Sequence, residues 1–71
     1  MKVKVIASRH GHIAIGTIGE ADGIFPDTFK IMSSATNIAV SFKKIKVPVP
    51  GYNEERPATV NFFRSELQAC K

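Results

Sequence analysis

The sequence predicts one small, mainly β domain spanning residues 1–71, with a small α+β arrangement as the variant, built on two consecutive antiparallel hairpins. Three observations predict it. Apolar and polar residues alternate through Val3, Val5 and Ala7 and again through Ile38, Val40 and Phe42, which is the period of a half-buried strand. Glycine and proline punctuate the chain at short intervals, as turns require. Finally, 71 residues are too few for a second core, while 44% hydrophobic and 23% charged residues supply enough apolar surface to fold.

The first hairpin is expected to pair Val3–Ala7 with His12-Ile13-Ala14-Ile15 around a turn at Gly11, with Gly16 and Gly19 marking a bulge or bend where the second strand ends. Residues 19–28 contain two glycines, one proline and three acids, the composition of a loop, and Ile24-Phe25 within it read as anchors folded back onto the core or as an apolar tip for a partner. Phe29-Lys30-Ile31-Met32 resumes the alternation. A polar turn over Ser33-Ser34-Ala35-Thr36-Asn37 then leads into Ile38–Phe42 and completes the second hairpin. Beyond Phe42 the apolar phase moves to Ile45 and Val47, a shift that a β-bulge at Lys43-Lys44 produces. Pro48 and Pro50 are expected to stop the pairing, with Pro50-Gly51 at the centre of a type II turn.

Residues 57–70 carry two signals. Val60, Phe63, Leu67 and Cys70 recur at helical spacing behind Pro57, which favours a C-terminal helix. Thr59-Val60-Asn61-Phe62-Phe63 is instead rich in strand formers, and Ser65-Glu66-Leu67-Gln68 resembles a capping box for a short helix only, so a fifth strand stays open. The whole describes a meander sheet with a helix on its face, or a small barrel of SH3-like or OB-like size.

The single cysteine, Cys70, leaves no intrachain disulfide, and the charged, alternating N-terminus is unlike a signal peptide. No apolar run is long enough to span a membrane, so a cytoplasmic protein is expected. No cofactor or metal site is read. His10-Gly11-His12 would place two imidazoles on one side of a strand, but a third ligand is missing. Cys70 lies beside a chain end that frays, Glu54-Glu55 reads as a solvated turn, and no nucleophile elbow, phosphate loop or calcium-loop spacing occurs, so no catalytic residue is assigned.

The net charge of +4 admits nucleic acid, anionic lipid or an acidic protein as partner. The basic residues are grouped: Lys2, Lys4 and Arg9 open the chain, and Lys43, Lys44 and Lys46 follow, with the acids Glu20, Asp22 and Asp27 between, the pattern of a dipolar molecule. Three functions are consistent with this. The first is a non-enzymatic regulatory or accessory module that binds, and in one form inhibits, a protein partner through a sheet edge, with Ile24, Phe25 and Tyr52 as anchors. The second is nucleic-acid binding, with Lys2, Lys4, Arg9, Lys43, Lys44 and Lys46 contacting phosphates, although Phe29, Phe42, Phe62 and Phe63 fall on core phases and leave few rings for stacking. The third is a homo-oligomeric assembly subunit joined through exposed strand edges.

Overall fold

Five antiparallel strands form one open sheet in the computed structural model, which describes the backbone of residues 1–49 and 52–70 and the side chains of 1–45 and 55–70. The strands are β1 (Lys2–Val5), β2 (Ile18–Glu20), β3 (Asn37–Val49), β4 (Tyr52–Phe63) and β5 (Leu67–Ala69), in the spatial order β4-β3-β2-β1-β5. A short helix, α1 (Pro26–Ile31), lies between β2 and β3, and a single 3-10 turn, Arg64–Glu66, joins β4 to β5.

Alternation sorts each strand into two faces. Val3 and Val5 of β1, Ile38, Val40 and Phe42 of β3, Phe62 of β4 and Leu67 of β5 all point inward and are nearly or fully excluded from solvent. Ile13, Ala21 and Phe29, contributed by loops and α1, close the same core. Phe42 and Phe62 meet edge to face at 6.0 Å between centroids, the preferred geometry for two quadrupoles. Gly19 stands opposite Val3 on this inner face. A Cβ there would lie 2.5 Å from Val40 Cγ1 and 2.8 Å from Phe42 Cε1, so only glycine lets β2 lie flat against β3.

The sheet must curl. Four inter-strand gaps of about 4.8 Å separate β4 from β5 by roughly 19 Å in a flat sheet. The four Cα steps from Phe63 to Leu67 span about 15 Å at full stretch, and the intervening 3-10 turn shortens them further. Curvature brings the two edges together, yet no ladder joins β4 to β5 among the described residues, so a closed barrel does not form.

Several elements differ from the sequence expectation. The strand opposite β1 is Ile18–Glu20 rather than His12–Ile15, and residues 6–17 form a long connection instead of a tight hairpin. That connection covers the core through Ile13 while Ile15 remains 70% exposed, so the alternation reflected one anchor and not a strand face. Gly16, at φ +95°, turns the chain into β2 as its Thr17 neighbour accepts from Val5 N–H at 2.9 Å. Residues 29–31 are helical, not extended: Pro26 sits in the first turn, Asp27 and Lys30 complement the helix ends, and the Phe29 N–H donates to Phe25 C=O at 2.9 Å. Six residues are too few for helical periodicity to show. The Ser33–Thr36 turn is present, closed by Thr36 N–H to Ser33 C=O, but it joins α1 to β3.

The second hairpin is therefore β3–β4. Its ladder continues through Pro48↔Asn53 to Val49↔Tyr52, so Pro48 does not end the pairing; the type II turn expected at Pro50-Gly51 lies outside the described residues. No C-terminal helix forms. Residues 52–63 instead find a full-length strand partner in β3, and the last residues pair with β1 as the fifth strand. The bulge falls where the phase shift places it: Lys43 and Lys44 together oppose Pro57, and Ile45 regains the buried face opposite Arg56. A proline in that position removes no ladder bond that the bulge has not already interrupted.

Replacing Gly19 by Ala is expected to destabilise the fold by about 1–3 kcal/mol through overpacking. That lowers Tm by about 4–8 °C for each kcal/mol in a chain of this size. Thermal unfolding followed by circular dichroism measures it; an unchanged Tm would contradict the close packing of β2 on β3.

Candidate functional site

The outward face of the sheet carries a row of partners set by register: Lys2 opposite Glu20, Glu20 opposite Ser41, and Ser41 opposite Thr59. Lys4 faces Ile18 one step along. A groove of about 520 Å³ opens on this face, lined by residues of β1, β2 and β3. Lys2 of β1 forms one wall and Lys43 and Lys44, pushed out by the bulge, form the other; Ile18, Gly19, Glu20 and Ser41 lie between them.

The floor is mixed in character. Ile18 is 50% exposed, a large aliphatic group held on the solvent side because its neighbour Gly19 must face the core. Glu20, the one acid among the described residues that line the groove, reaches the Met1 nitrogen at 3.2 Å. Ser41 Oγ lies 3.3 Å from Asp22 Oδ2 and 3.3 Å from Thr59 Oγ1. Glu20 and Asp22 thus stand beside the lysines, and the clean separation of charge expected from the sequence is not found at this face. The three lysine ammonium groups remain as flexible cationic donors around an apolar centre.

The sequence-assigned residues divide. Lys2, Lys43 and Lys44 converge on the groove, and Lys4 shares its face. Arg9 does not join them. Its Nε lies 3.5 Å from Glu66 Oε1 and its guanidinium covers the Phe63 ring at 4.2 Å, so it clamps the 6–17 connection onto the end of β4. Lys46 and Tyr52 occupy the β3–β4 ladder, and their side chains lie outside the described ones. Ile24 packs against the core and serves as an anchor, whereas Phe25, beside it, is 71% exposed and does not line the groove. Phe63, read as core, is only half-buried beneath Arg9.

His10 and His12 sit in a turn, not on a strand, with ring centroids 6.1 Å apart. His10 stacks edge to face on Phe62 at 5.0 Å, and its Nε2 donates to the Asn61 carbonyl at 2.9 Å, so this ring is fixed by the fold. Among the described residues no group of three or more His, Cys, Asp or Glu side chains is gathered as a metal site would need, and no helix is long and apolar enough to cross a membrane. Ile18, Glu20 and Ser41 were not assigned from the sequence, because only the cross-strand register places them beside the lysines.

Comparison with protein-family models, with curated proteins and with solved structures yields no match. What the groove can hold follows from its own side chains.

The Arg9–Glu66 clamp does not line the groove and is separable from it. Glu66 is buried and its Oε1 also accepts the Phe63 N–H at 2.8 Å. Glu66→Ala leaves that donor unpaired and is expected to cost about 1–3 kcal/mol. Glu66→Gln keeps an acceptor and loses only the half-exposed ion pair, about 0–1 kcal/mol. Urea unfolding of both variants checks the order; equal losses would show that the backbone bond contributes little.

Proposed function

We propose that this chain is a non-enzymatic binding module that takes an acidic segment of a partner protein into the groove between Lys2 and Lys43-Lys44. The observation that carries this reading is the convergence of three lysines around a half-exposed isoleucine in one concave site. Carboxylates on the segment would meet the ammonium groups, while an aliphatic side chain would cover Ile18. Charge of this kind sets association rate and partner choice, and the desolvated apolar contact sets residence time.

Nucleic acid is the second reading, favoured by the same three lysines. Against it, no aromatic side chain among the described residues lines the groove. Base stacking contributes about 1–3 kcal/mol per base in single-strand binding sites, and that contribution has no source here. Phosphate contacts alone would give a weak, sequence-independent interaction.

Fluorescence anisotropy with a glutamate- and valine-rich peptide and with an oligothymidylate distinguishes the two. The peptide is expected to bind, to weaken by roughly tenfold or more on combined Lys43→Glu and Lys44→Glu substitution, and to weaken as salt rises from about 50 to about 300 mM. Ile18→Ser is expected to weaken the peptide alone. Tighter binding of the oligothymidylate, unaffected by Ile18→Ser, would overturn the proposal.

A further inference from the structure

We infer that the groove recognises its acidic segment as an added β-strand, paired to the edge of β3 beyond Lys43; this rests on the reading of the groove as an acidic-peptide site. The ladder between β2 and β3 is brief, with the single register pair Glu20↔Ser41, because β2 is only three residues long. β3 continues for eight residues past that point, to Val49. On the other side it stays paired with β4 on both sides of the bulge at Lys43-Lys44, so it is held extended. On the β2 side, the antiparallel run of β2 carries Gly19 and Ile18 alongside Phe42 and Lys43, and past Lys43 no strand accompanies β3 among the described residues. A strand held open on one edge and rigid on the other is a template for backbone hydrogen bonding.

The groove ends where this edge begins. Its far wall is Lys43 and Lys44, where β2 runs out alongside β3. Bulges and edge lysines ordinarily discourage strand pairing. Here they act selectively. A second copy of this chain, with net charge +4, would bring lysine against lysine, and like charges across a strand pair are unfavourable. An acidic strand brings carboxylates to the same positions and turns repulsion into attraction. The occupant that fits is therefore an extended segment of about six to eight residues, at roughly 3.3 Å per residue along β3, carrying carboxylates at alternate positions. Backbone bonds to β3 supply affinity, and the lysines with Ile18 select the side chains.

The test uses the full chain and an eight-residue peptide alternating glutamate and valine, alongside its fully N-methylated form, which keeps every charge and removes every backbone N–H. The unmodified peptide is expected to bind at least about tenfold more tightly and to slow amide hydrogen exchange in β3 beyond Lys43, measured by NMR. If both peptides bind within about twofold of each other and exchange in β3 is unchanged, strand addition is wrong while the acidic-peptide reading survives. If neither peptide binds, that underlying reading fails as well. Light scattering on the free chain gives a further check: a dimer that the peptide cannot dissociate, with the β3 amides already protected, would place a second copy on this edge and overturn the inference.

Discussion

The missing side chain at Gly19 is the constraint on which the arrangement depends. β2 has only three residues with which to connect the two halves of the sheet, and the central one faces Val40 and Phe42 at distances that exclude even a methyl group. Because Gly19 occupies the inward position, Ile18 and Glu20 are forced outward, and these two residues furnish the floor of the groove. Core packing and surface chemistry are thus set by the same pleat. The close approach also lets Phe42 cross toward Phe62, so the hairpin of β3 and β4 is tied to the body of the domain through the rings it buries.

The bulge links a second pair of properties. It returns Ile45 to the buried face after Phe42 and so extends the core along the hairpin. It also leaves two consecutive lysines facing solvent beside the groove, which uninterrupted alternation could not do, since neighbouring residues in a regular strand point to opposite faces. Pro57 on the opposite strand fits this irregularity because it has no N–H to offer.

Signals carried by neighbouring residues were legible in the sequence. The mainly β character, the strand alternative at Thr59–Phe63, the bulge at Lys43-Lys44 and the core positions of Phe29, Phe42 and Phe62 all rest on local pattern. Pairing was not legible. Nothing near Val3 announces that its partners are Gly19 and Ala69, and the alternation of residues 12–15 was as strong as that of a true strand. Helix α1 was hidden because six residues show less than two helical periods, and the single inward residue, Phe29, suits either structure. The helical spacing from Val60 to Cys70 was a coincidence of two short strands separated by a 3-10 turn. At the groove, that Lys2, Lys43 and Lys44 lie beside Ile18, Glu20 and Ser41 was not readable in advance, nor was the contact of Arg9 with Phe63 and Glu66, which lie more than fifty residues away along the chain.

The pairing of β5 with β1 bears on how the domain assembles. Val5 and Leu67 are partners across 62 residues of chain, whereas the β3–β4 hairpin closes locally. Bringing ends so distant together costs about 4 kcal/mol of loop entropy if nothing between them is ordered. Once the hairpin and β2 are in place, the effective loop is far shorter and most of that cost has already been met. Because Val3, Val5 and Leu67 are buried in the shared core, opening that short terminal ladder exposes core residues and is coupled to the core instead of being a fraying of the ends.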